Sequence, residues 1–252
     1  MNNNHPSPSL AGPSLTKTIR DWWRRESSRH GALRPFIQFF GIVGEFLRDS
    51  TPARRRSRYG DMDFDWDRRV DTTGATISNR DRLLGMFHSP YQPTEPALFR
   101  EMMEALERDW KLDFSQSVFI DIGSGKGRAL LLAADYPFKR ILGVELLPAL
   151  DHIAQENIAK YQSESQKCFA IESSCGDATE FEFPAEPILL YLFNPLPESG
   201  LRQLLANLET SLRENPRPLY VLYHNPLLER VLVDSPYLRK VGGTHQYSIF
   251  AA

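Results

Sequence analysis

The chain has 252 residues, of which 41% are hydrophobic, so it is long enough to bury the core of one sizeable domain. Its two cysteines suggest neither a disulfide framework nor a metal site, and no apolar run is long enough for a membrane span. We therefore expect a cytoplasmic protein that binds no metal. Residues 1–60 hold 11 Lys and Arg against 4 Asp and Glu, although the net charge of the whole chain is −2.

Residues 1–60 are predicted to form a basic N-terminal extension. Its first residues are rich in Pro, Ser and Asn, which predicts disorder. The stretch 15–47 predicts two helices that break near Gly31 and Pro35, the second of them strongly apolar. Its aromatic residues predict packing against the main domain, with docking on a partner or weak contact with a membrane surface as alternatives. The basic run at 53–58 is interpreted as a solvated linker.

Residues 61–96 form an acidic segment that connects the extension to the rest of the chain. Five Asp residues occur between positions 61 and 71 in a spacing that suggests a calcium loop, yet the Gly and the terminal Glu of an EF-hand are missing. The segment leads into a loop that contains Tyr91 and Thr94. We predict that it covers a ligand pocket.

Apolar runs alternate with helical patterns in residues 97–252. Strands are predicted at 117–122, 140–145, 167–173, 187–193 and 218–224, with two more around Gly242 and Gly243. This alternation predicts a doubly wound α/β domain, with a mostly parallel seven-stranded sheet and an antiparallel C-terminal edge strand. Such sheets bind ligands at the carboxyl ends of their strands, where the strand order reverses.

A glycine-rich loop, Gly123-Ser124-Gly125-Lys126-Gly127, follows the first of these strands. It is not a phosphate-binding P-loop, because Ile120 stands where the first glycine belongs and a glycine follows the lysine. It also departs from the dinucleotide signature, since its third glycine comes one place early. The identity of the ligand must therefore be inferred from the residues at the ends of the neighbouring strands.

Acidic residues stand at three of the strand ends. Asp121 directly precedes the glycine turn, where its charge would repel a pyrophosphate but suits the ammonium and sulfonium groups of S-adenosylmethionine. Glu145 ends the second strand and is placed to accept hydrogen bonds from both ribose hydroxyls. After the third strand, Asp177 and the Ala178 N–H are placed to meet the adenine, although Asp177 is also a common turn residue. We predict S-adenosylmethionine as the cofactor, bound by Asp121, Gly123, Ser124, Gly125, Glu145, Asp177 and Ala178.

The stretches FIDIGSGKGRALLLAA, ILGVE, GDAT and YLFNPLP together resemble the class I S-adenosylmethionine-dependent methyltransferases, over about residues 90–250. The upstream stretch YQPTEPALFREMMEAL is similar in its arrangement to the non-SET histone-lysine methyltransferases and their bacterial relatives. That resemblance implies that Tyr91 and Thr94 lie on a loop over the cofactor. The sequence departs from those enzymes after the fourth strand, where Asn194 stands without a paired asparagine and Pro195 follows it.

The exit of the fourth strand, YLFNPLP, is the predicted place of the chemistry. It resembles the Asn-Pro-Pro-aromatic signature of methyltransferases that act on amides and amines, in which the Asn holds the target nitrogen. Asn194 is accordingly predicted to be catalytic by positioning the acceptor, and a plain turn is the alternative interpretation. Pro197 stands where that signature has an aromatic residue, so a base-stacking platform is missing and a nucleic-acid partner is disfavoured.

These observations predict a methyltransferase that acts on a nitrogen, with a protein side chain as the preferred acceptor. A small-molecule methyltransferase and a non-catalytic module that binds a cofactor or nucleotide are the alternatives. A lysine acceptor would first have to lose its proton, and the candidate bases are His88, Tyr223, His224 and His245.

Overall fold

A computed structural model describes residues 14–31, 33–49, 62–73, 91–110 and 112–252. The predictions for the first residues of the chain, for the basic run at 53–58 and for His88 lie outside these ranges. Within them, no helix has both the length and the apolar character needed to cross a membrane.

Two helices make up the described part of the extension, α1 (Leu15–His30) and α2 (Leu33–Asp49). Gly31 separates them with a positive φ of 75°, so α1 ends where the sequence predicts. The predicted break near Gly31 and Pro35 is confirmed at Gly31, and Pro35 itself lies in the first turn of α2, where a missing N–H is tolerated. The two helices pack together, with Trp23 edge-on against Phe36.

The remaining elements follow in chain order, beginning with the short helix α3 (Met62–Arg68). They are α4 (Pro96–Trp110), β1 (Val118–Ile122), α5 (Arg128–Ala133), β2 (Arg140–Glu145), α6 (Pro148–Lys160), β3 (Ile171–Cys175), β4 (Ile188–Leu192), α7 (Glu198–Glu214), β5 (Leu219–His224), α8 (Glu229–Val233), β6 (Arg239–Gly243) and β7 (Tyr247–Ala251).

The seven strands form one sheet in the order β3-β2-β1-β4-β5-β7-β6. The first five strands of this order are parallel to one another, and β7 runs antiparallel to both of its neighbours. The predicted doubly wound α/β fold is therefore confirmed. The strand order reverses between β1 and β4, so the switch point lies where the glycine loop leaves β1.

The largest difference from the predicted boundaries is at β3, which starts at Ile171 and not at residue 167. The N–H groups of Lys167 and Cys168 both donate to the Ala134 carbonyl at the end of α5. These residues thus bind a helix end and cannot pair with the sheet.

Each face of the sheet carries its own apolar core. On the first face, which we call the α4 face, Phe99 and Met102 of α4 pack with Phe119 and Tyr191. On the opposite face, leucines of α7 pack against the alternate residues of the strands. Residues at odd positions of β1 and β4 therefore point toward α4, which places Asp121 and Tyr191 on the same side.

Candidate functional site

The glycine loop leaves β1 in a conformation that requires glycine. Gly123 and Gly125 have positive φ angles of 76° and 56°. The N–H groups of Gly123 and Ser124 donate to the Val144 carbonyl of β2, at 2.8 and 3.1 Å, which ties the loop to the neighbouring strand. The Ser124 hydroxyl is buried and has no hydrogen-bond partner within the described residues. The hydroxyl lies beneath the loop, where a Cβ atom at Gly143 of β2 would come within 2.9 Å of it.

Asp121 is the most unusual group of the site. It lies near the carboxyl end of β1, is 4% exposed, and makes no hydrogen bond or ion pair with any described residue. Burial raises the pKa of Asp121 to about 8, and the nearby charge of Glu145 adds to this effect. A buried carboxylate without a partner is unfavourable, and a cationic ligand group would relieve its cost.

Glu145 ends β2, as predicted, and is 7% exposed. Its Oε2 accepts from the Gly125 N–H at 2.9 Å, and its Oε1 accepts from the Leu147 N–H at 2.8 Å. Burial raises the pKa of Glu145, and these backbone donors oppose that shift. Each carboxylate oxygen keeps one further lone pair. Glu145 therefore shapes the loop and can still accept two hydroxyl groups.

We expect Glu145→Gln to weaken S-adenosylmethionine binding by about 1.5–3 kcal/mol, the range for a hydrogen bond to a charged group. The substitution replaces one acceptor oxygen by a donor, which also opposes a backbone N–H of the loop. Isothermal titration of a variant that unfolds cooperatively tests this expectation, and Glu172→Gln on the exposed side of β3 is the matched control. Equal affinities for both variants would show that the ribose does not lie at Glu145.

The third acidic position has a more local role in the free protein. Asp177 is exposed and begins a short 3-10 helix, Ala178–Glu180. Its Oδ1 accepts from the N–H and the hydroxyl of Thr179, at 2.8 and 2.7 Å. Oδ1 thus has the role of a turn residue, as the alternative interpretation predicts, while Oδ2 has no hydrogen bond to a described residue. Adenine binding by Asp177 and Ala178 stays a prediction.

The loop before α4 brings Tyr91 and Thr94 to the same end of the sheet. A Cβ atom at Gly125 would lie 2.3 Å from Cε2 of Tyr91, so the ring lies directly against the glycine loop. The Tyr91 hydroxyl donates to the Thr72 carbonyl at 2.5 Å. Thr94 is buried and its Oγ1 lies 2.9 Å from the Tyr191 hydroxyl. The structure thus places both residues beside the glycine loop and β4, while their cofactor contacts stay predicted.

The acidic segment is fastened to the glycine loop by a buried lysine. Lys126 is fully buried, and its Nζ donates to Asp71 Oδ1 and to the Thr73 carbonyl, both at 2.8 Å. Burial lowers the pKa of Lys126, and the Asp71 carboxylate opposes this shift. Asn157 of α6 adds a bridge, since its Nδ2 donates to the carbonyls of Asp71 and Lys126 at 2.8 and 2.9 Å.

A second ion pair joins α3 to the start of α5. Arg128 is 2% exposed, and its guanidinium lies 3.1 Å from Asp65 Oδ1 and 4.1 Å from the centre of the Phe64 ring. Asp65 also accepts from the backbone N–H groups of Thr72 and Thr73, at 2.7 and 2.9 Å. Together these contacts hold residues 62–73 against the loop that carries the site. Closure over a bound ligand stays a prediction.

Arg128→Met should destabilise the protein by about 3–5 kcal/mol, because it leaves the Asp65 carboxylate partly buried without its cation. Arg202→Met is the matched control, since Arg202 forms an exposed pair with Glu198 and should cost no more than about 1 kcal/mol. Urea unfolding of both variants measures the difference. Similar midpoints for the two would mean that residues 62–73 are not held by this pair.

The predicted catalytic residue, Asn194, lies directly after β4 in a left-handed conformation with a φ of 48°. Its Nδ2 donates to the Asn225 carbonyl at 2.7 Å, and its Oδ1 accepts from the Tyr223 hydroxyl at 2.9 Å. The Leu227 N–H, 3.3 Å away, is a second donor to Oδ1. In this conformation the side chain joins the ends of β4 and β5, and its role toward an acceptor stays a prediction.

An aromatic group that the sequence did not reveal lies at the same two strand ends. Phe193 stacks on His224, with ring centres 3.8 Å apart and planes inclined by 26°. The Nδ1 of His224 lies 2.8 Å from the Tyr191 hydroxyl, which also contacts Thr94. Burial lowers the pKa of His224 to about 4, so the ring is neutral near neutral pH.

Sequence reasoning missed two groups of this site. Lys126 and Arg128 are adjacent to the glycines in the sequence, and only the run of Asp residues upstream indicates acidic partners for them. Tyr191 and Phe193 fall within the predicted strand 187–193, and the local sequence does not distinguish a core tyrosine from one that reaches the end of the sheet. Within the described residues, no group of three or more His, Cys, Asp or Glu could hold a metal ion.

Comparisons with solved structures find methyltransferases of low sequence identity. An RNA methyltransferase from Salinibacter ruber in complex with S-adenosyl-L-homocysteine is 22% identical; the match covers 64% of this chain and 92% of that one, with a TM-score of 0.41. A predicted N6-adenine-specific DNA methylase from Listeria monocytogenes is 15% identical over 65% and 52% of the two chains, with a TM-score of 0.46. A ribosomal protein L11 methylase from Lactobacillus delbrueckii subsp. bulgaricus is 15% identical over 64% and 79%, with a TM-score of 0.42. No family model and no curated protein matches the sequence.

The prediction that disfavours a nucleic-acid partner and prefers a protein needs correction, because its premise, a missing aromatic platform at the end of β4, is wrong. The similar structures are described as an RNA methyltransferase, a DNA methylase and a ribosomal protein L11 methylase. The sequence argument looked for a ring after Asn194, whereas Phe193 stands directly before it and stacks on His224. None of the three is described as a histone-lysine methyltransferase, so that closer resemblance stays a prediction.

Proposed function

We propose that this protein is a methyltransferase that uses S-adenosylmethionine. The observation that carries the proposal is Asp121, a buried carboxylate without a partner that precedes the glycine turn at the switch point of the sheet. A pyrophosphate would make ionisation of Asp121 still less favourable, and a neutral ligand would leave the cost of its burial in place. The ammonium and sulfonium groups of S-adenosylmethionine supply the missing positive charge.

The surrounding residues fit the other parts of this cofactor. Glu145 has one free lone pair on each oxygen for the ribose hydroxyls. The positive φ angles of Gly123 and Gly125 shape the loop on which the cofactor would rest, and Tyr91 lies over that loop. Asp177 keeps one carboxylate oxygen for the adenine amino group. When bound, the cofactor supplies a methyl group that its sulfonium has already activated.

The chain then has to hold a nucleophile in line with that methyl group, which is catalysis by positioning. The ends of β4 and β5 supply the groups for this task, since Asn194, Phe193 and His224 lie together beyond the switch point. Asn194 would orient the acceptor nitrogen, either through its own amide or by holding the turn after β4. Tyr91 and residues 62–73 would exclude water from the cofactor side.

Binding and methyl transfer test separate parts of this proposal. Thermal unfolding should shift to higher temperature with S-adenosylmethionine or its demethylated product and should not shift with NAD, because only a ligand that binds the native state stabilises it. Transfer of a labelled methyl group to an extract from cells that lack this protein would then establish catalysis. Cofactor binding without transfer to any fraction would indicate a non-catalytic binding module.

A further inference from the structure

Three buried side chains form a hydrogen-bonded chain that ends at the acceptor side of the site. Thr94 Oγ1 lies 2.9 Å from the Tyr191 hydroxyl, and that hydroxyl lies 2.8 Å from Nδ1 of His224. The three residues are 4%, 1% and 7% exposed. Their order is fixed by three separate elements, since Thr94 precedes α4, Tyr191 belongs to β4 and His224 ends β5.

The two hydrogen bonds that join Thr94, Tyr191 and His224 can be donated in either of two directions. If Thr94 donates to Tyr191 and Tyr191 donates to Nδ1 of His224, both hydroxyl protons have an acceptor, and the ring carries its proton on Nε2. In the opposite direction, the Thr94 proton would have no acceptor among the described residues and would stay buried unpaired. Since an unpaired buried donor is costly, the first direction is favoured. The depressed pKa of His224, about 4, agrees with a neutral ring.

The Nε2 atom of His224 is the open end of this chain. It has no hydrogen-bond partner among the described residues, and it is not among their fully buried atoms. The same ring stacks on Phe193, which is only half-buried, so a flat surface and a donor lie side by side. Aromatic stacking favours planar ligands, and nucleobases use it without regard to sequence.

We infer that His224 is an acceptor-binding residue whose Nε2–H donates to a nucleobase that is methylated on nitrogen, with Thr94 and Tyr191 as the residues that fix its tautomer. The inference rests on the proposed function and adds the acceptor class to it. A nucleobase offers a carbonyl oxygen or an unprotonated ring nitrogen beside its amino group, whereas an alkylammonium offers donors only. The positive charge of the N-terminal extension, 11 Lys and Arg against 4 Asp and Glu, suits a phosphate backbone.

In this arrangement His224 is not the base of the reaction. The base nitrogen forms the new N–C bond as the C–S bond breaks, and the sulfur keeps the electron pair of that bond. The methylated nitrogen then loses its surplus proton to water, which is favourable because the N-methylated cation of an aromatic amine is a strong acid. His224 keeps its Nε2 proton throughout, so its hydrogen bond orients the base from the first contact to product release.

The tautomer can be measured without any acceptor. In the full-length protein labelled with ¹⁵N-histidine, long-range proton–nitrogen spectra should show Nε2 of His224 protonated and Nδ1 unprotonated, with the signals assigned by their loss in His224→Gln. Tyr191→Phe should move the Nδ1 signal, and Tyr223→Phe, which removes a hydroxyl bonded to Asn194 and not to His224, should leave it in place. A proton on Nδ1 in the parent protein would overturn the inference.

The acceptor class is tested with RNA and with DNA from cells that lack this protein, each incubated with methyl-labelled S-adenosylmethionine and digested to nucleosides. Label in a base of either sample supports the inference and tells RNA from DNA. His224→Gln should then raise the KM for that nucleic acid tenfold or more, while affinity for S-adenosylmethionine changes less than threefold. Label in protein alone, or none in either nucleic acid from an enzyme that binds the cofactor, would overturn it. Failure to bind the cofactor would instead contradict the proposed function.

Discussion

Asp121→Asn should weaken S-adenosylmethionine and its demethylated product together, by about tenfold to more than a hundredfold, which corresponds to roughly 1.5–3 kcal/mol. Both molecules carry the ammonium group that we place beside the carboxylate. The Asn side chain has nearly the same shape, so the change removes the negative charge and little else. Isothermal titration with both ligands measures the effect. A loss confined to S-adenosylmethionine would place the carboxylate at the sulfonium instead.

The same substitution, which should weaken cofactor binding, should stabilise the folded protein. Its pKa in the folded protein, about 8, lies above the ordinary value of 3.8, so ionisation of Asp121 disfavours the folded state. The protonated form of Asp121 favours the folded state. This contribution to the free energy of unfolding is fully present below pH 3.8 and is lost as the pH rises through about 8. Asp121→Asn should therefore gain stability over the parent protein by up to a few kcal/mol between pH 5 and pH 8.5. Urea unfolding at both pH values tests this. A constant difference would mean that the carboxylate has a partner.

Asn194→Ala should lower turnover by about 10²-fold while the affinity for the demethylated product stays within a few-fold, because misplacement of an acceptor by about an ångström has an effect of this size. The residue lies where we place the acceptor, and its contacts with Asn225 and Tyr223 join the ends of β4 and β5. Both direct binding of the target nitrogen and support of the turn predict a fall in kcat together with kcat/KM.

The control for this substitution is Asn215→Ala after α7, where the Asn side chain is exposed and precedes the amino end of β5, whereas Asn194 follows the carboxyl end of β4. Unfolding curves for both variants show whether reduced turnover comes from lost stability. The assay uses methyl-labelled S-adenosylmethionine and an extract from cells that lack this protein. Turnover by Asn194→Ala at the rate of the parent would show that the Asn194 side chain has no role in catalysis, either toward the acceptor or through the turn.

The sequence was informative wherever the signal was local. Alternating apolar runs predicted five parallel strands, since a buried strand and an amphipathic helix have different periods. The acidic residues at strand ends were found for a related reason, because a parallel sheet brings all of its carboxyl ends to one edge. Asp121 and Glu145 therefore lie where they were expected, and the fold class follows from the same pattern.

What the sequence did not reveal depends on contacts between distant positions. Arg128 and Asp65 are 63 residues apart, and their pairing becomes visible only when α3 is placed on the glycine loop. The chain from Thr94 to His224 joins three elements and cannot be read from spacing. The stacking platform was missed because Phe193 precedes Asn194, whereas the known signature places its aromatic residue after it.

We place S-adenosylmethionine at the switch point of the sheet, beside Asp121. Isothermal titration of the full chain with S-adenosylmethionine, with its demethylated product and with NAD measures whether it binds there. We predict saturable binding of the first two at one site per chain, lost in parallel in Asp121→Asn, and no binding of NAD. Binding of NAD alone by the parent protein would contradict the account, because a pyrophosphate would then lie beside the buried Asp121 carboxylate.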